Sequence, residues 1–255
     1  MGKTLAMNYD DLRAEVGQYL GFGDTLDDFG TDELSEVDRF VQNGLRKFYA
    51  PPRPGMVWSF LQPVRDMKTT TDVESYQLPP DFGGYEGRLT VTTTSGSYAP
   101  VEKTSDLRIR ELRSASNSTG VPREYAIVAN RHVPGGETSW RIELYPSPDA
   151  SYTLRGKMLI APLKLSNDNP YPYGGPLHAQ TILLACLSEA ELHRGPVVGH
   201  SAAYQSQLTA SVEIDKQQAR PENLGYNYDP STPESYTHNG LMVIPSTVTF
   251  NGVQY

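Results

Sequence analysis

The chain has 255 residues, with 22 Lys+Arg against 30 Asp+Glu and a net charge of −8. That length suits one large domain or two modest ones, and 38% hydrophobic with 20% charged residues excludes a disordered polyelectrolyte. No run approaches the roughly 18 apolar residues that would span a bilayer, so no membrane partner is expected, and the single Cys186 rules out an intrachain disulfide or a multi-cysteine zinc site. Met1 to Ala6 lacks the apolar core of a secretory signal, which leads us to expect a soluble protein folded in a reducing cytoplasm. Residues 1–40 hold ten acids and three bases, −7 of the total charge, opposite in sign to a DNA-binding surface. Sixteen tyrosines against seven phenylalanines favour half-buried rings with one wet end.

Asn8 is placed to cap a first helix, with Leu12, Val16 and Tyr19-Leu20 at helical spacing and Gly21 and Gly23 to end it. Thr31 is placed to cap a second, longer helix whose stripe is Leu34, Val37, Phe40-Val41, Leu45 and Phe48, and Pro51-Pro52 stops it. Beyond the Pro-rich connector the period changes to two. Val57 to Leu61, Val73 to Leu78 and Arg88 to Thr93 read as strands, and Ser105 to Ser114 has room for one short helix. Trp140, Ile142 and Leu144 alternate with charged residues. Pro146 to Ala150 then turns the chain, and Tyr152, Leu154, Met158 and Ile160 share one face; this predicts an antiparallel hairpin with one dry side. Six or seven strands, partly closed as a sandwich or barrel, are expected over 57–164.

Helical periodicity returns in Ala179 to Leu192, and again where Tyr204, Leu208 and Val212 fall at i, i+4 and i+8. Four amphipathic helices interrupted by strands predict an α+β fold: a discontinuous four-helix bundle from residues 1–50 and 175–221, an inserted antiparallel β domain at 57–164, and an extended C-terminal arm at 222–255. The arm ends in an apolar, β-favouring run. Its candidate partner-binding residues are Leu241, Met242, Val243, Ile244, Val248, Phe250 and Tyr255. Such a run needs a sheet edge, either on a neighbouring chain or as a last strand of the protein's own sheet.

The search for chemistry is negative. Gly2-Lys3-Thr4 lacks the preceding strand and glycine of a phosphate loop, and Gly21-x-Gly23 lacks the third glycine of a dinucleotide site. The loop from Asp24 to Glu36 fails calcium-loop spacing. Glu189 and His193 stand i, i+4 with no further ligand nearby, so a surface pair is expected. His132 and Asp149 come with no nucleophile elbow, and Cys186 on an apolar helix face reads as inert packing. We expect no enzyme, no cofactor and no metal.

Three strings carry a resemblance. The helix pair followed by Trp58-Ser59-Phe60-Leu61, then Tyr76-Gln77-Leu78-Pro79-Pro80-Asp81-Phe82, and later Glu143-Leu144-Tyr145-Pro146-Ser147-Pro148-Asp149-Ala150-Ser151-Tyr152-Thr153-Leu154, resembles head-to-tail adaptor (connector) proteins of tailed double-stranded-DNA bacteriophages. The tail tubular protein A type of short-tailed phages is the nearest likeness. The resemblance implies a structural virion protein at the head-tail interface, assembled in the host cytoplasm. It implies a homo-oligomeric ring, usually twelve-fold, between the portal protein and the tail tube or nozzle protein, with double-stranded DNA passing through the channel unread. The acidic residues Asp24, Asp27, Asp28, Asp32, Glu33 and Glu36 are then candidates for a channel wall that repels DNA, or for a seat on a basic portal surface. The other reading is a carbohydrate- or receptor-binding tail module on a helical stalk. That module would need an exposed aromatic platform, whereas the alternation predicts Trp140 buried with Ile142 and Leu144.

Overall fold

Asn8 and Gly21 bracket the first helix. The computed structural model describes residues 5–50, 55–92, 98–130, 138–194 and 196–218, together with four two-residue strands beyond residue 236. Helix α1 spans Tyr9–Leu20. Asn8 Oδ1 accepts the Asp11 N–H and the Asp11 carboxylate accepts the Asn8 N–H, both at 2.9 Å. This exchange satisfies two of the donors that a helix start leaves without partners. Gly21 closes the helix at φ 78°, a left-handed conformation open to glycine at little cost. Helix α2 covers Thr31–Tyr49, so the cap is Gly30 rather than Thr31, and the Gly30 N–H donates to Glu33 Oε2 at 2.8 Å. Val37, Phe40, Val41, Leu45 and Phe48 are buried as one stripe, with Leu34 only half-buried.

The strand expected at Val57–Leu61 is instead a single 3-10 turn, Ser59–Leu61. Trp58 Nε1 donates to the Phe48 carbonyl at 3.1 Å, and Ser59 gives its N–H (3.1 Å) and its hydroxyl (2.6 Å) to the Asp215 carboxylate. These side-chain bonds take the place of a ladder partner. The strands that follow are β1 (Val64–Lys68), β2 (Ser75–Gln77), β3 (Phe82–Thr92), β4 (Glu102–Lys103), β5 (Glu124–Ala129), β6 (Trp140–Tyr145) and β7 (Thr153–Ile160). Helix α3, Asp106–Ala115, falls one residue from its expected position, with Ser105 Oγ accepting the Arg108 N–H as its cap.

The seven strands form two sheets, ordered β1-β7-β3 and β2-β6-β5-β4. Two expectations are corrected here. β6 and β7 are not a hairpin, because they lie in different sheets. The turn between them is claimed by other segments: Thr69 donates its N–H to the Tyr152 carbonyl, Asp72 N–H goes to Pro148, and Ser147 N–H goes to Ser118. β6 therefore pairs with β2 and β5, while β7 pairs with β1 and β3. Nor is the pairing wholly antiparallel, since β4 runs parallel to β5. Trp140 is a third correction. Ile142 and Leu144 are fully buried, but Trp140 is 37% exposed, at a strand end where the ladder to β2 has stopped at Gln77 opposite Arg141. On β7 the inward residues Leu154, Met158 and Ile160 are buried, as the alternation requires.

The sheets join where Leu89 and Val101 exchange backbone hydrogen bonds of 3.1 and 2.7 Å, and where Tyr125 Oη donates to the Gly87 carbonyl at 2.7 Å. Helix α4 (Ala179–His193) contacts α1, α2 and helix α5 (His200–Gln218). α2 and α4 meet at backbone distance: a Cβ on Gly44 would stand 2.5 Å from Cys186 Cα. Tyr204 of α5 donates to the Lys47 carbonyl at 3.4 Å, Thr181 and Ser211 hydroxyls bond at 2.6 Å, and the Tyr19 and His200 rings meet edge-on at 4.9 Å. Helices from before and after the strands thus share one apolar cluster with the inner faces of both sheets. Residues Met1–Ala219 form one compact unit. In the second, Arg220–Tyr255, β8 (Thr237–His238) pairs antiparallel with β9 (Leu241–Met242), and β10 (Thr249–Phe250) with β11 (Val253–Gln254).

Candidate assembly surfaces

An aromatic joint fixes the helices to the connector that leads into the sheets. Phe48 from α2 and Trp58 and Phe60 from the connector stack on one another, and His178 at the start of α4 meets all three at tilted or edge-on angles, every pair within 6.1 Å by ring centroid. His178 is 1% exposed and neither ring nitrogen has a hydrogen-bond partner among the described residues. Burial lowers its pKa, and the Asp215 carboxylate on α5 opposes that shift. Beside it, Tyr49 Oη accepts the Tyr173 N–H at 2.8 Å, and burial raises the Tyr49 pKa. The surplus of tyrosines is used as its chemistry suggests, with the ring packed and the hydroxyl bonded to backbone or carboxylate.

The opposite ends of α1 and α2 carry the acidic candidates. Asp28 receives the N–H of Thr25 at 3.0 Å and its hydroxyl at 2.9 Å, and these bonds lower its pKa. Glu33 holds the Gly30 N–H, and Asp24 accepts from Gln18 Nε2 at 3.3 Å. Glu36 pairs with Arg39 at 3.4 Å and with Arg194. Asp27 and Asp32 are exposed. Asp28 and Glu33 brace turns, Glu36 ties α2 to the end of α4, and Asp24, Asp27, Asp28 and Asp32 are exposed.

The same end holds a feature that the periodicity did not reveal. The Glu191 carboxylate accepts the N–H groups of Val198 (2.6 Å), Gly199 (2.7 Å) and Ser201 (2.9 Å), and these bonds pull its pKa down to about 2. Tyr19 Oη donates to the Pro196 carbonyl, and Arg194 lies over the Phe22 ring. A loop so anchored presents Val197 (89% exposed) and Val198 to solvent, and Leu192 near the end of α4 is exposed as well. Leu192 sits off the stripe of α4, and two valines directly after Gly195-Pro196 belong to no amphipathic pattern; those were the available signals.

Of the arm candidates, Leu241 and Met242 lie in β9 and Phe250 in β10, where only the backbone is described. Val243, Ile244, Val248 and Tyr255 lie outside the described residues, as do the Gly2-Lys3-Thr4 string and His132. Asp149 accepts the Tyr152 hydroxyl at 2.6 Å. Cys186 is buried, donates weakly to the Val41 carbonyl, and burial pushes its thiol up to about 12. Glu189 pairs with Lys47 at 3.0 Å and with His193 at 4.0 Å. Among the described residues no group of three or more His, Cys, Asp or Glu is arranged to hold a metal, and no helix is long and apolar enough to cross a membrane.

A family model described as SU10 adaptor protein matches residues 7–228. A search of curated proteins returned no match. The matched span runs from just ahead of α1 to beyond α5 and includes β1 to β7, and it agrees with the resemblance to phage head-to-tail adaptors carried by the three strings. An adaptor is a structural component of the phage virion. The chain belongs to the SU10 adaptor protein family.

Proposed function

We propose that the chain is the repeating subunit of a ring at the head-tail interface, seated below the portal protein and receiving the tail tube or nozzle on its other side. The genome passes through the centre of that ring without base-specific contacts. The observation that carries this reading is the family match over residues 7–228, which includes both halves of the split helical framework and the strands between them. α1, α2, α4 and α5 act as a discontinuous four-helix bundle, a stiff wedge that repeats one interface until rotation closes the ring. The strands and their loops form an inserted module for the tail side. Residues 222–255 form an arm whose apolar run, Leu241 to Phe250, adds to a neighbouring chain through backbone hydrogen bonds. Ordering that arm costs free energy that the portal template offsets, so the isolated chain is expected to be a monomer.

Co-sedimentation of the purified chain with portal-bearing capsids tests the reading. Saturable attachment, absent on capsids that lack portal, is the expected result. Equal binding to both, or to neither, would remove the adaptor role. Stable dodecamers formed without portal would remove the template step alone.

A further inference from the structure

The charges of α2 and the loop before it fall into two separated blocks. Asp24, Asp27, Asp28 and Asp32 are exposed, and the hydrogen bonds they accept come from Gln18 and Thr25 rather than from cations. Further along, the outer face of α2 carries Arg39, Asn43 and Arg46 at i, i+4 and i+7. Lys164 and Leu165, from the segment after β7, lie beside them along a groove of about 400 Å³. Its wall is braced, since Gln42 Nε2 donates to the Leu165 carbonyl at 3.0 Å and the Leu165 N–H returns to Gln42 Oε1 at 3.3 Å.

The groove's own carboxylate, Asp38, is already engaged by the Tyr9 hydroxyl at 2.8 Å and Arg13 at 2.9 Å. Arg46 Nη1 donates to Asn43 Oδ1 at 2.9 Å, and among the described residues no carboxylate lies within 4 Å of Arg46 or Lys164. Arg39 reaches Glu36 at 3.4 Å with 61% of its side chain exposed. About fourteen residues of helix separate Asp32 from Arg46, roughly 21 Å at the α-helical rise. That exceeds two Debye lengths of about 8 Å at physiological salt, so Arg46 does not neutralise the acidic loop within one copy, while Arg39, about 10 Å from Asp32 along the helix, is partly occupied by Glu36.

We propose that the basic groove of one copy receives the acidic loop Asp24–Asp32 of the next copy. This deepens the ring reading above and rests on it. A head-to-tail contact uses two different patches, as a ring requires, and this chain carries both. Exposed ion pairs contribute little to affinity, so the contact sets register and suppresses wrong orientations, while the apolar contacts of the assembly supply the binding energy. A phosphate backbone is the less favoured occupant: a chain of net charge −8 repels DNA at long range, and its acidic loop is the complement already present.

Cys186 is buried and is the chain's single cysteine, so an introduced cysteine is the chain's one accessible thiol. The experiment mixes full-length Asp27→Cys and Lys164→Cys chains on portal-bearing capsids and adds a bismaleimide. Cross-linked dimers are expected from the mixture and not from either variant alone. Arg46→Glu is expected to lower attachment about tenfold, since it sets like charges face to face, and Asp27→Lys in the same chain restores it. Lys164→Glu, on a loop rather than a helix, repeats the test should Arg46→Glu fold poorly. Normal attachment with no mixed cross-link and no effect of either reversal overturns this interface and leaves the adaptor reading standing. Failure of the wild-type chain to attach at all removes that reading and this one with it. A non-specific DNA duplex retarded by the wild type and not by Arg46→Glu assigns the groove to nucleic acid and also overturns the proposal.

Discussion

Replacing Gly44 with alanine pits a local gain against a tertiary loss. In an isolated helix the change would stabilise by about 1 kcal/mol, because glycine has more backbone freedom to lose. Here the new Cβ would stand 2.5 Å from Cys186 Cα, 2.6 Å from its N and 2.8 Å from its Sγ. Two of those three atoms are backbone and cannot rotate away, so α2 and α4 must separate by about 1 Å to reach van der Waals distance, loosening the packing of Val41, Leu45 and Ile182. Overpacking of this kind costs about 1–3 kcal/mol or more, and the backbone contact places it at the upper end. The net expectation is a loss of about 2 kcal/mol, or about 4–8 °C in Tm for a chain of this size. Adding Cys186→Ala removes only the sulfur contact and should recover only part of the loss. Urea and thermal unfolding followed by circular dichroism measure both variants. A Gly44→Ala protein as stable as the wild type, or more so, would refute the backbone-to-backbone closure of the two helical segments.

Three further outcomes follow from the same geometry. His178 is held neutral in the fold with its pKa below 6.5, so the unfolded chain binds the extra proton; stability is therefore complete above pH 6.5 and falls as pH drops below it, and His178→Phe should flatten that slope between pH 7 and 5.5. Glu191 is the opposite sign of group: its folded pKa of about 2 lies below the unfolded 4.5, so its contribution is present above pH 4.5 and is lost as pH falls through 2. The stability gap between wild type and Glu191→Gln should accordingly narrow between pH 6 and pH 3, and an unchanging gap would mean that the carboxylate does not hold the loop at Val198–Ser201. Deleting residues 241–255 should abolish attachment to portal-bearing capsids while leaving the unfolding of Met1–Ala219 unchanged, and unimpaired attachment would remove the arm's role.

The helices were legible because their information is local. Asn8, Asp11 and Gly21 settle α1 among themselves, and the stripe from Val37 to Phe48 needs only a partner face, whichever it is. Strand identity was legible where alternation was strict, as from Tyr152 to Ile160. Strand partnership was not, because the turn at Pro146 to Ala150 looks like a hairpin turn until Thr69, Asp72 and Ser118 supply its hydrogen bonds from distant positions. Val57 to Leu61 failed for the same reason: an apolar pentapeptide favours a strand, but Asp215, more than 150 residues away, takes the Ser59 donors. The acidic candidates were identified by charge alone. Which of them brace turns, as Asp28 and Glu33 do, depends on the fold of their own loop. Arg46 and Lys164 stood apart in the sequence and became one groove only when the segment after β7 packed along α2.

Electron cryomicroscopy of the capsid vertex, with the chain bound to its portal, tests the central claim most directly. A closed ring of repeated copies below the portal is expected, each with α2 against α4 at Gly44 and Cys186. A vertex whose density holds the chain as scattered single copies, or holds it away from the portal, would contradict it.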